Sequence, residues 1–65
     1  MIVNAIPERL RNLRGDKSQK EVAEAIGISQ SSYAMYETGD RVPNDENKRK
    51  LAAFFKKTVQ EIFFD

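Results

Sequence analysis

Apolar residues in this chain recur at helical spacing, but never for long. Gly15, Gly27 and Gly39 each interrupt the pattern, and two boxes, Ser18-Gln19-Lys20-Glu21 and Thr58-Val59-Gln60-Glu61, restart it. In such a box the hydroxyl caps a free backbone N–H, and the glutamate reaches back to the N–H of the cap residue. A chain punctuated this way builds short helices. Ile6, Leu10 and Leu13 share one face of a first helix that stops at Gly15. Pro7 is tolerated only in its first turn, so the helix starts near Asn4 or Ala5. Val22, Ala23 and Ile26 form the buried face of a second helix, ended by Gly27. Ser29 opens a third over Gln30 to Thr38, with Tyr33 and Tyr36 three apart and Gly39 closing it. Asp40 to Asp45 is a polar connection holding Arg41 and Pro43. Asn44 or Asp45 caps a fourth helix with Leu51, Ala52 and Phe55 on its apolar face. Val59, Ile62 and Phe63 face inward on a short last helix. No run alternates as a strand does, although Met1 to Val3 could add an extended arm. The expected fold is all-α: five short helices in one compact domain spanning residues 1–65.

So small a chain has a thin energetic margin. Burial of apolar surface should contribute roughly 100 kcal/mol, and ordering the residues should cost about the same. No disulfide or thiolate–metal staple can widen that margin, because there is no cysteine. Histidine is also absent, which removes the usual metal ligand and the usual general base near neutral pH. No metal or cofactor is expected. The start of the chain lacks the basic and long apolar segments of a signal peptide, and no stretch is apolar enough to cross a membrane. These features lead us to expect a cytoplasmic protein without a membrane partner.

The net charge of +1 conceals an uneven distribution. Residues 1–20 carry five positive and two negative charges, residues 21–47 carry Arg41 against six acids, and residues 48–65 again carry five against two. Two basic ends around an acidic middle suit a polyanion, but solvated helix faces would give similar counts.

The most informative stretch is Gln19 to Thr38, QKEVAEAIGISQSSYAMYET. Only Gly27, Ile28 and the capping Ser29 separate its two helices, and so tight a link imposes the steep crossing of a helix-turn-helix. Gly27 supplies a positive φ at no steric cost. Ala23 is small where the helices approach, and Val22, Ile26, Ile28, Tyr33 and Tyr36 are apolar where each helix meets the body.

This pattern resembles the helix-turn-helix of phage repressor and Cro-type regulators, the XRE family, whose domains are lambda-repressor-like. The resemblance covers nearly the whole chain: a basic first helix, GISQSSYAMYETG in the recognition region, a proline-bearing loop and a closing LAAFFKKTVQEIFF. It implies a transcription regulator, most simply a repressor of prokaryotic or phage origin. Such a protein would bind double-stranded DNA at a pseudo-palindromic operator as a homodimer. It further implies roles residue by residue. Gln19 matches a glutamine that holds a DNA phosphate and buttresses the recognition helix. Gln30 and Ser31 match base-contacting positions, and Ala34 and Met35 lie one turn further along the same exposed face. Ser32, Arg41 and Asn44 sit where family members meet the sugar–phosphate backbone. Arg14 matches an arginine that pairs with the glutamate closing the third helix, here Glu37. Ala23 and Gly27 support the motif itself. Two departures stand out. The recognition helix has no Lys or Arg, which points to A·T-rich half-sites and modest non-specific affinity. The loop Gly15-Asp16-Lys17 is shorter than usual.

Each residue also has a plainer role. Tyr33 and Tyr36 are core residues whose hydroxyls could still reach a phosphate. Met35 could read a base or fill a surface gap. Lys48-Arg49-Lys50 could be a solvated helix face or a DNA contact, and Lys56 and Lys57 suit a helix C-terminus. Ile2, Phe63 and Phe64 are candidate dimer contacts. On the same fold, an antitoxin-like or adaptor module could use the acidic middle and Phe63-Phe64 to bind a protein, and a protein antagonist could act there. An enzyme would have to rely on a carboxylate pair such as Glu21 and Glu24, with nothing nearby to orient a substrate; none is expected.

Overall fold

Helices in this protein begin where a polar side chain can hold their first free N–H groups. The computed structural model describes residues 5–64, and these form α1 (Ile6–Arg14), α2 (Gln19–Ile26), α3 (Gln30–Thr38), α4 (Asp45–Phe55) and α5 (Val59–Phe63). Both capping boxes close. Ser18 Oγ accepts from the Glu21 N–H at 3.0 Å while the Glu21 carboxylate accepts from the Ser18 N–H at 2.9 Å. Thr58 and Glu61 repeat the exchange at 3.0 and 2.8 Å. Ser29 caps α3, and Asn44, not Asp45, caps α4 through its side-chain oxygen. Helix α1 alone starts without a side-chain cap, at Ala5, with Pro7 in its first turn.

The helix ends differ in kind. Gly27 closes α2 with φ of 77°, and a Cβ there would meet nothing within 4 Å. The requirement for glycine is therefore conformational rather than steric. Helix α4 ends in the same left-handed region without a glycine, at Lys56 with φ of 59°.

Each helix contributes one large, fully buried side chain to the centre: Leu10, Val22, Tyr33, Leu51 and Ile62. The helices close a ring, with α3 against α1 and α2, α2 against α4, α4 against α5, and α5 back against α1. Arg9 fastens that closure by donating to the Ile62 carbonyl at 3.0 Å. Phe55, expected inside, is half-buried and meets the half-buried Phe54 edge-on at 5.1 Å. Phe63 is buried in the core of its own chain. That corrects its assignment as a dimer contact, because its ring has almost no surface left to offer. Phe64 is exposed, with Lys48 Nζ 4.7 Å above its ring. Ile2 and the arm Met1 to Val3 lie outside the described residues. Among those described, no helix is long and apolar enough to cross a membrane.

Candidate nucleic-acid interface

Helix α3 is pinned from inside before it presents anything outside. Its last turn carries Glu37, a carboxylate only 2% exposed. Arg14 meets it as a fork, Nε to Oε2 at 2.6 Å and Nη2 to Oε1 at 3.0 Å, while Nη1 of the same guanidinium donates to the Lys17 carbonyl. The amide of Gln19, the first residue of α2, donates to Glu37 Oε1 at 3.0 Å. One buried anion thus ties α1, the short loop after it, and α2 to α3. Burial alone would favour the neutral acid. The Arg14 hydrogen bonds and the other donors around the carboxylate outweigh it and hold the Glu37 pKa below the ordinary carboxylate value.

Tyr33 lies beside this cluster. Its hydroxyl is buried, and burial, then its close approach to the Glu37 carboxylate, pushes its pKa up. It is fully enclosed, which leaves its hydroxyl no surface from which to reach a phosphate. Arg11 adds a contact that motif spacing did not indicate: its guanidinium donates to the Glu37 carbonyl, a cation at the C-terminal end of α3.

The opposite side of α3 is free. Gln30 and Ser31 are exposed at its first turn, and Ala34 and Met35 continue the row, half-buried. The Gln30 and Ser31 side chains make no hydrogen bond within the described residues. This outer row, uncharged and fixed in place, is the surface that the tight α2–α3 link projects.

Beside it a cleft of about 290 Å³ opens between α3, the following loop and the start of α4. The structure brings Ser32, Arg41 and Asn44 together there with Tyr36, whose hydroxyl the sequence left as an open phosphate candidate, and with Asn47, which it did not assign. Asn47 Nδ2 donates to Tyr36 Oη at 3.0 Å, and its backbone N–H donates to Asn44 Oδ1 at 2.8 Å. The one sequence signal for Asn47 was its place three residues after a capping asparagine. Ser32 is set by Ser29, whose Oγ accepts the Ser32 N–H and donates to Ser32 Oγ.

The remaining candidates scatter. Lys48 leans over Phe63 and Phe64, and Lys50 pairs with Glu46 at 3.5 Å. Lys48 is thus drawn to the α5 end and Lys50 to its own helix, while Arg49 is exposed. Glu21 is held in its capping box, and Glu24 faces Lys20 at 4.0 Å. Among the described residues no three His, Cys, Asp or Glu side chains cluster as metal ligands would.

Comparison with known proteins places the chain in a family. The model of the helix-turn-helix family matches residues 8–62. Two curated relatives, each named cryptic phage CTXphi transcriptional repressor RstR, are similar over 59 residues. One, from Vibrio cholerae serotype O1 (strain ATCC 39315 / El Tor Inaba N16961), is 41% identical; the other, from Vibrio cholerae, is 37% identical. In both, the match covers 88% of this chain and 53% of the relative, so the chain spans about half the length of these relatives. No solved structure matches significantly.

Proposed function

The chain belongs to the helix-turn-helix family of phage repressor and Cro type, and from that premise we propose that it is a DNA-binding transcription regulator acting as a repressor. One observation carries the reading. The outer row of α3 is free of internal bonds, and groups suited to phosphate flank it on both sides. On one side is the start of α2, with Gln19 and its open N–H groups; on the other is the cleft of Ser32, Arg41 and Asn44.

In this account α3 enters the major groove and the flanking groups hold the backbone. Gln30 pairs with the adenine edge by donating and accepting together. Ser31 adds a polar contact, while Ala34 and Met35 pack on thymine methyl groups. Gln19 shares its amide between Glu37 and a phosphate, which couples helix position to backbone contact. With no cation on α3, half-sites are A·T-rich. Two copies bind a pseudo-palindrome with half-sites about one helical turn apart, near 34–36 Å. Repression then follows from occupying the operator and needs no catalytic group, in a cytoplasmic protein working without a cofactor.

A second reading rests on the exposed Phe64 beneath Lys48, an apolar spot with a cation above it. It suits a second copy of the chain, or a protein antagonist if the fold serves as an antitoxin-like or adaptor module. The experiment that separates the readings is selection from random duplex DNA, followed by affinity at two salt concentrations. A recurring A·T-rich inverted repeat bound in a salt-dependent way is the expected result. Weak binding without sequence preference would overturn the regulator reading in favour of a protein partner.

A further inference from the structure

We propose that the cleft between α3 and α4 is a pre-built pocket for a single DNA backbone phosphate, and that the Tyr36 hydroxyl is its central donor, oriented by Asn47. The inference rests on the DNA-binding reading above and adds to it two groups, Tyr36 and Asn47, and their convergence on one anion.

The argument is a count of donors and acceptors. The Tyr36 side chain is 95% buried, at 5% exposure, yet its hydroxyl reaches the cleft wall. There its oxygen accepts from Asn47 Nδ2 at 3.0 Å. A phenol that accepts from an amide keeps its own proton for another partner, and no group of the described residues takes it. The Asn44 side-chain oxygen accepts from the Asn47 N–H, and its NH₂ has no partner among the described residues. Ser32 Oγ accepts from Ser29 and likewise retains its proton. Arg41 adds a guanidinium whose side chain makes no bond within the described residues. The cleft thus holds free donor hydrogens on Tyr36, Ser32, Asn44 and Arg41, set against one neutral amide acceptor, Asn47 Oδ1, and no carboxylate lines it. Asp45 and Glu46 follow Asn44 directly but stay outside, and Glu46 faces Lys50. A site in which donors predominate, one of them cationic and none opposed by a carboxylate, is complementary to an acceptor-only monoanion such as a phosphodiester.

Tyr36 and Arg41 then contribute differently. Arg41 brings charge, so it sets part of the salt dependence. Tyr36 brings a neutral hydrogen bond to a charged acceptor, which is local and insensitive to salt.

The test uses the full chain, the duplex it selects, and the variant Tyr36→Phe, which keeps the ring and removes only the hydroxyl. A circular dichroism melt checks that the variant is folded under the binding conditions. Tyr36→Phe should bind about tenfold more weakly with an unchanged salt slope. Replacing phosphates one at a time by neutral methylphosphonates should find one position per half-site where wild type weakens and the variant no longer differs from it. Equal affinity of wild type and folded variant overturns the pocket and leaves the regulator intact. So does a tenfold loss that persists at every methylphosphonate position, which would mark a purely structural hydroxyl. Failure of the wild type to bind any duplex overturns both.

Discussion

Helix α3 has two polar sides built from similar groups to opposite effect. On the inner side one buried carboxylate, Glu37, is surrounded by donors from Arg14 and Gln19, so acceptor and donors meet within the chain. On the outer side Ser32, Tyr36, Arg41 and Asn44 present donors with no carboxylate among them. A closed network holds a helix in place; an open one is complete only when a ligand supplies the missing charge. Buried ion pairs are poor sources of stability when measured against apolar packing, but they are costly to break. That asymmetry suits a part whose purpose is to fix an angle. The open side follows the opposite logic, since groups left to water cost the fold little and remain available.

Substitutions can separate the two sides. The largest effect should follow Arg14→Ala, which leaves the buried Glu37 carboxylate without its cation. The expected loss is about 3 kcal/mol, or more than about 12 °C in Tm for a domain of this size. A thermal melt at pH 7 measures it, and a loss below about 1 kcal/mol would show that the inner network does not hold α3.

Acid should open the same network more gradually. The Glu37 pKa is depressed in the folded state, so the stability it contributes is fully present above the ordinary carboxylate range near 4.3. That stability is lost as pH falls through the folded value. The Tm gap between wild type and Glu37→Gln should therefore narrow from pH 7 towards pH 3. A gap independent of pH would mean that the carboxylate charge is not what matters.

Ser29→Ala probes the boundary between the two sides. It removes the α3 cap and should cost about 1 kcal/mol, while also releasing Ser32 Oγ from its partner. The smallest effect on stability belongs to Arg41→Ala, within about 0.5 kcal/mol. In DNA binding the same change should weaken affinity on every sequence alike and flatten the salt slope by about one unit. A loss confined to particular sequences would move Arg41 from the backbone to the bases.

Helix boundaries were legible in the sequence wherever local chemistry alone sets them. Ser18, Ser29 and Thr58 cap the helices they were expected to cap, and Gly15, Gly27 and Gly39 close the first three. The α4 end carried no such signal, because the left-handed residue there is Lys56, a type whose occurrence at that angle depends on the packing around it. The core was legible from periodicity, including Tyr33 and Tyr36. Periodicity could not distinguish their hydroxyls: Tyr33 ends beside Glu37 in the interior, and Tyr36 ends at the cleft. Phe63 and Phe64 are adjacent apolar residues, and the direction in which α5 packs made one core and the other surface. The tertiary roles of Asn47 and Arg11 were not legible for a related reason. Each gains its role from a partner distant along the chain, Asn47 from Tyr36 and Arg11 from the end of α3.

The claim at the centre of this account is that the outer row of α3 reads sequence while its inner side only holds it still. The most direct test repeats the selection from random duplex DNA with Gln30→Ala, compared with wild type at the same salt concentration. The account predicts that preference relaxes at one base position in each half-site, at a cost of about 1–3 kcal/mol there, with the rest of the site unchanged. An equal loss of affinity on every sequence, with the selected site unaltered, would contradict it.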